Sequence, residues 1–306
     1  MNRMKLGEIL SVKHGWAFKG EYFAEDGEQS ILTPGNFFEK GGFKPNNGKE
    51  RYYTGTYPKE YLCHKGDLIV AMTQQAEGLL GSTALVPENN KYLHNQRIGL
   101  ITCDEKRLNK LFAYYLFMTK SVREQLERSS SGTKVKHTSP EKIYDVEVEI
   151  PDVISQQKIA NLLWSIDEKI ANNNAINDNL EQQIKTIFTF QFLQNANTEW
   201  KQQSLAELSE MYQPKRISGK DLIADGNYFV YGANGIIGKY NQYNHSESEI
   251  AVACRGASCG SIQMTLPFSW ITGNAMVVKP HSDFPYREYL YYYLLAKNPN
   301  YLCSGS

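Results

Sequence analysis

The chain has 306 residues, of which 41% are hydrophobic and 12% aromatic, enough to form the cores of two ordinary globular units. Its 33 basic residues balance 33 acidic ones, so net charge does not support nucleic-acid binding, and any such role depends on local clusters. No apolar segment approaches the roughly 20 residues of a membrane span, and MNRMKLGEIL lacks a signal-peptide core, so we expect a cytoplasmic protein without a membrane partner.

The five cysteines are odd in number, scattered along the chain and without a CxxC pair. This pattern predicts reduced thiols and excludes both a disulfide framework and the usual structural zinc site. No metal ligands are therefore expected.

The first 150 residues predict a mixed α/β unit. Short apolar runs bounded by turn residues are typical of strands, and a 3.6-residue apolar rhythm is typical of a helix. The predicted elements are strands over 67–72 and 98–102, a helix over 108–126 that ends at the serines and glycine of 129–132, and a strand over 145–150.

One long helix is predicted over residues 155–193, with Ser155 as its N-cap, because no Pro or Gly occurs between 152 and 204. Its apolar positions repeat every seven residues, as in a coiled coil. The predicted seam has Leu163, Ile170, Asn177 and Ile184 at position a and Ile159, Ile166, Asn173, Leu180 and Ile187 at position d.

This seam predicts that a partner helix packs against it. The alternative is a single amphipathic helix lying on a globular body, although its length argues against this. Asparagines at a and d penalise slipped registers, so Asn173 and Asn177 are expected to fix how the partner docks, unless they are merely tolerated.

After about residue 197 the features of the first unit return in the same order, which predicts a second, similar unit over 197–306 and hence an internal repeat. In addition, Asn234-Gly235 between apolar residues predicts a hairpin turn. The matched pairs are 66–73 (GDLIVAMT) with 248–255 (SEIAVACR), Gly81-Ser82 with Gly260-Ser261, Asn95 with Asn274, Tyr114-Tyr115 with Tyr291-Tyr292, and Ser131-Gly132 with Ser304-Gly305.

Polar and basic side chains follow the predicted strands at matching points of the two copies. Glutamine can bond adenine with two hydrogen bonds and arginine can do the same with guanine, so units that differ here would read different bases. A solvated surface run is the usual alternative for such clusters. The candidates for DNA contact are Lys13, His14, Thr73, Gln74, Gln75, Lys134, Lys136 and His137 in the first copy, and Lys215, Arg216 and Arg255 in the second.

Catalytic signatures are missing. The glycines of 232–239 are spaced wrongly for a phosphate loop, and Tyr240 stands where Ser or Thr is needed. Carboxylates at 152 and 167–168 with Lys169 imitate a nuclease motif, yet they are spread over more than four turns of the predicted helix and could not converge on a metal. We therefore expect no catalytic residues and no enzyme activity in this chain.

The chain resembles the specificity (S) subunit of type I restriction–modification systems along nearly its whole length. The resemblance is carried by KLGEIL at 5–10 and SLAELS at 204–209, GDLIVAMT at 66–73, PDVISQQKIANLLWSIDEKI at 151–170, YGANGIIGKY at 231–240 and WITGNAMVV at 270–278. The resemblance implies an α/β (α+β) fold with two tandem mixed α/β target-recognition domains, here 1–150 and 197–306, joined by a coiled-coil-type spacer helix at 151–196.

In that family the two domains grip the halves of a bipartite double-stranded DNA site, and modification (M) subunits that dock on them methylate adenine at N6. The resemblance thus implies that this chain binds no cofactor itself, that S-adenosylmethionine belongs to the M subunit, and that ATP and magnesium belong to a restriction (R) subunit. A flipped adenine would enter the M subunit and not this chain.

A complete family member would continue past Ser306 with a strand and a second spacer helix. We expect either a truncated product, which we favour, or a second chain that supplies the helix through self-association. The resulting alternative function is an interaction scaffold, or a half-subunit that needs a partner chain to complete its coiled coil.

Overall fold

The computed structural model describes residues 2–46, 48–74, 78–133, 135–255 and 258–297. It is a mixed structure of helices and strands that divides into two compact units, 1–171 and 172–306. No helix in these described ranges is long and apolar enough to cross a membrane.

The first unit contains twelve described strands and three complete helices, besides the start of a fourth. The strands are β1 (Asn2–Lys5), β2 (Leu10–His14), β3 (Phe23–Ala24), β4 (Ser30–Ile31), β5 (Tyr52–Tyr53), β6 (Leu68–Ala71), β7 (Thr73–Gln74), β8 (Thr83–Leu85), β9 (Tyr92–Leu93), β10 (Ile98–Cys103), β11 (Lys136–His137) and β12 (Glu147–Ile150). The helices are α1 (Lys110–Leu116), α2 (Lys120–Ser129) and α3 (Pro140–Tyr144), followed by α4 (Val153–Phe188).

The central sheet of this unit has the order β2-β10-β6-β8, with every neighbouring pair antiparallel. Strand β6 is buried on both faces, which explains its unbroken apolar sequence. Leu68 and Val70 pack in the cluster that includes the residues of α1 to α3, whereas Ile69 and Ala71 pack in a second cluster. The strands predicted over 67–72 and 98–102 are thereby confirmed.

The helix predicted over 108–126 is interrupted, so α1 and α2 are separate. Residues 117–119 form a turn in which the hydroxyl of Thr119 donates to the carbonyl of Leu116 at 2.8 Å. Thr119 then stands at the N-cap position of α2, without a side-chain capping bond. Apolar residues recur at helical spacing on both sides of this turn, so the periodicity does not reveal the break.

Helix α4 is confirmed as one long element, although its start was placed wrongly. Asp152, and not Ser155, caps it: the backbone N–H of Ser155 donates to Asp152 Oδ1 at 3.0 Å, and its hydroxyl donates to Asp152 Oδ2 at 2.7 Å. These bonds lower the pKa of Asp152. After Phe188 the chain continues as a short π-helix over Thr189–Gln194.

The second unit, beyond its part of α4, has seven described strands and two helices. They are α5 (Leu205–Leu208), β13 (Ser209–Tyr212), β14 (Tyr228–Gly232), β15 (Gly235–Tyr240), β16 (Ile250–Ala253), β17 (Ile262–Met264), β18 (Trp270–Ile271), β19 (Ala275–Pro280) and α6 (Arg287–Lys297). The hairpin predicted at Asn234-Gly235 is present between β14 and β15, with Gly235 at a positive φ of 92°.

The repeat predicted from the sequence is present in the fold. The central sheet of the second unit has the order β13-β19-β16-β17, which matches β2-β10-β6-β8 strand for strand. Gly81 and Gly260 each donate a backbone N–H at 2.8 Å to the last residue of the equivalent strand, Ala71 or Ala253. Both glycines have positive φ, 76° and 82°. The pair Ser131-Gly132 with Ser304-Gly305 cannot be compared, since residues 298–306 lie outside the described ranges.

One predicted pairing is wrong by two residues. The N–H of Met72 donates to the carbonyl of Arg97 at 3.0 Å, and at the equivalent position the N–H of Cys254 donates to Asn274 at 3.2 Å. Asn274 therefore corresponds to Arg97 and not to Asn95. The pairing was wrong because the loops before β10 and β19 differ in length, so that asparagines occur at positions that are not equivalent.

The cysteine prediction holds only in part. Cys63, Cys103 and Cys254 are free thiols, whereas Cys259 is disulfide-bonded. Burial raises the pKa of Cys63 to about 12 and that of Cys103 to about 11. The prediction of reduced thiols is therefore wrong at Cys259.

Candidate nucleic-acid interface

Those predicted DNA contacts of the first unit that the structure describes lie at one edge of its central sheet. Strands β2 and β6 both run antiparallel to β10, so their carboxyl ends lie at the same edge. Lys13 and His14 end β2, and Thr73 follows β6. The sheet topology thus brings together residues that are 60 positions apart in the sequence.

A two-stranded ribbon of β7 and β11 holds four of these residues. Thr73 pairs with His137 and Gln74 pairs with Lys136. A hydrogen bond of 3.0 Å joins Thr73 Oγ1 to His137 Nδ1, and Lys136 forms an ion pair with Glu127. The remaining two candidates, Gln75 and Lys134, lie outside the described residues.

The side chains of this ribbon differ in solvent exposure. Thr73 and Gln74 are only 4% and 7% exposed, whereas the His137 side chain is exposed and Lys136 is half-buried. The amide oxygen of Gln74 accepts a hydrogen bond from the N–H of Leu80 at 2.8 Å. In this arrangement Thr73 and Gln74 support the ribbon and its loop, while His137 faces solvent.

Lys13 and His14 are held next to exposed aromatic surface. Lys13 Nζ donates to the carbonyl of Glu60 at 3.1 Å and lies 4.3 Å from the ring centroid of Tyr61. His14 Nδ1 lies 3.2 Å from the carbonyl oxygen of Gln96. The indole of Trp16, which is 40% exposed, packs against Tyr61 with 5.4 Å between ring centroids. Cations beside aromatic rings suit both phosphate and base contacts.

The equivalent edge of the second unit carries exposed cations. Strands β13 and β16 both run antiparallel to β19, so Lys215, Arg216 and Arg255 follow carboxyl ends that lie at the same edge. All three side chains are exposed. Among the described residues, none forms a hydrogen bond or ion pair with them. Arg255 thus projects a free guanidinium at the position where the first unit has the buried Thr73.

Sequence reasoning missed Arg123, which braces the loop after β7. Its guanidinium donates to the carbonyl oxygens of Leu80 (2.6 Å), Phe117 (2.9 Å), Gly78 (3.0 Å) and Glu39 (3.2 Å). Burial lowers the pKa of Arg123 to about 10. Since all four acceptors are backbone carbonyls, and three of them belong to distant segments, no side-chain pattern could have predicted these contacts.

Helix α4 is attached to the first unit through one face. Gln156 and Ala160 are fully buried, the Trp164 ring lies 6.4 Å from that of Tyr114, and the hydroxyl of Tyr115 donates to Asp167 at 2.7 Å. In the second unit, Phe188 packs against the rings of Tyr289 and Tyr292 on α6.

The predicted seam lies on a different face of α4. Its seven aliphatic side chains are all exposed, from 36% at Leu163 to 56% at Ile187. The two asparagines, Asn173 and Asn177, are exposed as well. Apart from these nine positions, the apolar residues of α4 with the largest exposure include Leu162 and Ile176.

The structure contains two matching mixed α/β units whose polar edges differ in chemistry. It also contains a long helix with an exposed apolar stripe. These features are those of a duplicated recognition protein. The family described as the type I restriction modification DNA specificity domain matches residues 1–182 and 197–306. The chain therefore belongs to the family of type I restriction–modification specificity subunits.

Known relatives agree with this family. The chain is 22% identical over 185 residues to the type I restriction enzyme MjaVIII specificity subunit of Methanocaldococcus jannaschii, covering 60% of this chain and 43% of that protein. It is 33% identical over 82 residues to the MjaIX specificity subunit of the same organism, covering 27% of this chain and 19% of that protein. The matches thus span less than half the length of these curated relatives.

Among solved structures, the S subunit of a type I restriction–modification system from M. genitalium superposes with a TM-score of 0.63. The superposition covers 98% of this chain and 77% of that chain at 18% identity. This likeness shows that the fold is shared.

Proposed function

We propose that this chain reads a bipartite double-stranded DNA site, one half with each unit, and positions methyltransferase (M) subunits that methylate adenine at N6. The observation that carries the proposal is the difference between the two equivalent edges. The first presents His137 and Lys136 on a ribbon supported by Thr73, and the second presents the free Arg255. Edges with the same architecture and different donors suit two different half-sites.

The candidate DNA-contact residues have different roles in this function. The half-buried Lys13 and the exposed Lys215 and Arg216, with His14, contact phosphates and fix orientation. His137 and Arg255 approach base edges. Thr73 and Gln74 act indirectly, because their burial leaves little surface for a base and their polar atoms already bond His137 and Leu80. Gln75 and Lys134 stay sequence-based candidates.

The chemistry is proposed to take place in partner subunits. This chain holds the DNA and contributes no catalytic group, while S-adenosylmethionine is bound by the M subunits, and ATP and magnesium by an R subunit where restriction accompanies modification. The flipped adenine then reacts in the M subunit.

Methylome sequencing of cells that express this chain with its M subunit tests the proposal. We expect methylated adenines in a motif of two specific blocks separated by a fixed unread gap. A motif with one block would refute reading by both units, and the absence of methylation with a competent M subunit would refute the function.

Arg255→Ala tests base reading by the second unit. We expect relaxed specificity at one position of one block, with a loss of about 1–3 kcal/mol for the preferred base and none for the other block. The matched control is Lys279→Ala, an exposed cation on β19 that lies toward the opposite end of the same sheet. An equal loss on every sequence would mean that Arg255 contacts a phosphate.

The alternative is a scaffold that pairs through α4 without reading DNA. Its support is the exposure of the whole seam. Gel-shift titrations with and without the M subunit separate the two functions, since a pure scaffold gives no sequence-dependent shift in either case.

A further inference from the structure

In each unit, one strand outside the central sheet leads into a turn at the edge that carries the candidate DNA contacts. Strand β4 runs parallel to β9, and β14 runs parallel to β18. Strands β9 and β18 are followed by β10 and β19, which begin at this edge opposite Ala71 and Ala253. Because β4 and β14 run in the same direction, the turns that follow them lie at this edge as well.

The turn after β14 is followed by two adjacent exposed isoleucines. Val230 pairs with Gly238 and Tyr231 pairs with Ile236, so Ile237 is an extra residue in β15. Such a bulge interrupts the alternation of side chains between the two faces of a strand. Ile236 and Ile237 are 49% and 47% exposed. The hairpin of β14 and β15 therefore presents both apolar side chains to solvent.

This hairpin is anchored next to a candidate phosphate contact. The side-chain amide of Gln263 donates to the carbonyl of Gly232 at 2.9 Å, and the N–H of Thr272 donates to the carbonyl of Tyr231 at 3.0 Å. The next residue, Gly273, packs so closely on Arg216 that a Cβ would lie 3.0 Å from Arg216 Cγ. The two isoleucines are thus held in a fixed position beside the cations of this edge.

The loop after β4 presents a phenylalanine at the equivalent place of the first unit. Phe38 is 48% exposed. Its carbonyl accepts a hydrogen bond from the hydroxyl of Ser82 at 2.6 Å, and Gly42 donates its N–H to the carbonyl of Thr83 at 2.9 Å. Thr83 pairs with Val70, near the carboxyl end of β6. Phe38 is therefore also fixed at the edge that carries the candidate DNA contacts.

Cations accompany these apolar side chains in both units. Lys44 Nζ lies 5.8 Å from the ring centroid of Phe38, and the same loop contains the exposed Lys40 and one acid, Glu39. The hairpin of the second unit contains the exposed Lys239 and no acid. Exposed Phe or Ile beside cations is typical of proteins that insert apolar side chains between base pairs while the cations bind phosphates.

We propose that Phe38, and Ile236 with Ile237, insert between stacked bases, one insertion in each half-site, and that they bend the DNA. This inference rests on the proposed function and adds an activity to it, namely distortion of the duplex by side chains that bond no base edge. Insertions of this kind kink a duplex by roughly 20–90°. A base beside an opened step has lost a stacking partner, so insertion also eases the extrusion of a neighbouring adenine.

Duplexes with 2-aminopurine at successive positions of the methylated motif test the insertion, because this base fluoresces more strongly when it is unstacked. The full chain is used together with its M subunits. Positions of the methylated adenines are left out, since the M subunit extrudes those bases itself. We expect increased fluorescence at one step in each block. Phe38→Ala should abolish the increase in one block only, and Ile236→Ala combined with Ile237→Ala should abolish it in the other block only.

Energy transfer between dyes at the two ends of the duplex measures the bend, which each of these variants should reduce. Leu266→Ala is the matched control and should change neither signal. Leu266 is 49% exposed, as Ile236 is, but it follows the strand end where Met264 pairs with Ile250, at the opposite end of the sheet. Phe38→Leu keeps an apolar side chain and should retain the fluorescence increase.

DNA binding is measured separately by fluorescence anisotropy, and circular dichroism verifies the folding of each variant. Binding without an unstacked step, or unstacking that survives the alanine substitutions, overturns the insertion and leaves the DNA-reading function standing. If the unchanged chain with its M subunits binds no DNA, both the function and the insertion fall. Variants that weaken the association with M subunits and leave the fluorescence unchanged would show that these apolar side chains contact protein, which also overturns the insertion.

Discussion

Replacing Gln156 with alanine is expected to loosen the attachment of α4 to the first unit. Gln156 is fully buried. Its amide oxygen accepts the N–H of Asn109 at 2.9 Å, and its amide nitrogen donates to the carbonyls of Arg107 at 3.0 Å and Pro151 at 2.8 Å. One side chain thus satisfies three backbone groups around the start of the helix.

The expected loss of stability follows from the number of hydrogen bonds that the substitution removes. Each such hydrogen bond contributes about 1 kcal/mol net, so losing three lowers the free energy of unfolding of this unit by about 3 kcal/mol. For a domain of this size, each kcal/mol shifts the melting temperature by roughly 2–4 °C, which gives a decrease of about 6–12 °C.

Thermal and urea unfolding of the full chain measure this change, with Lys158→Ala as control. Lys158 is on the same turn of α4 with an exposed side chain, and its replacement should alter stability by less than about 0.5 kcal/mol. Amide exchange at Asn109 should also accelerate in Gln156→Ala. If the Gln156 and Lys158 variants unfold at the same temperature and urea concentration, the three hydrogen bonds of Gln156 do not stabilise this unit.

Three further predictions concern single residues. Burial lowers the pKa of His94 from 6.5 to about 4. As the pH falls, the His94 imidazole is therefore protonated in the unfolded chain before it is protonated in the folded chain. The free energy of unfolding should decrease by roughly 3 kcal/mol between pH 6.5 and 4. His94→Gln should remove this pH dependence, as measured by thermal unfolding at several pH values. Asn90 has a φ of 59°, so Asn90→Ala should cost about 0.5–1 kcal/mol in urea unfolding while Asn90→Gly should not. Cys63, with its pKa raised to about 12, should resist iodoacetamide at pH 8 until the unit unfolds, as quantified by mass spectrometry, and rapid native labelling would contradict its burial.

The repeat shows where sequence comparison succeeds and where it fails. The runs at 68–71 and 250–253 align because both strands are buried on two faces and need apolar residues at every position. The loops before β10 and β19 carry no such constraint, so a shared asparagine produced a pairing two residues out of place. The break between α1 and α2 was missed because the apolar periodicity continues across it.

The two mixed α/β units, the long helix and its heptad pattern were predictable from the sequence, because burial imposes periods of two, 3.6 and seven residues that are visible locally. Which candidate residues are buried and which are exposed follows only from the fold. The burial of Thr73 and Gln74, the exposure of Arg255 and the bracing by Arg123 depend on segments far apart in the chain, whose contacts leave no local pattern. Such contacts are set by sheet topology, and the topology forms only when the whole unit folds.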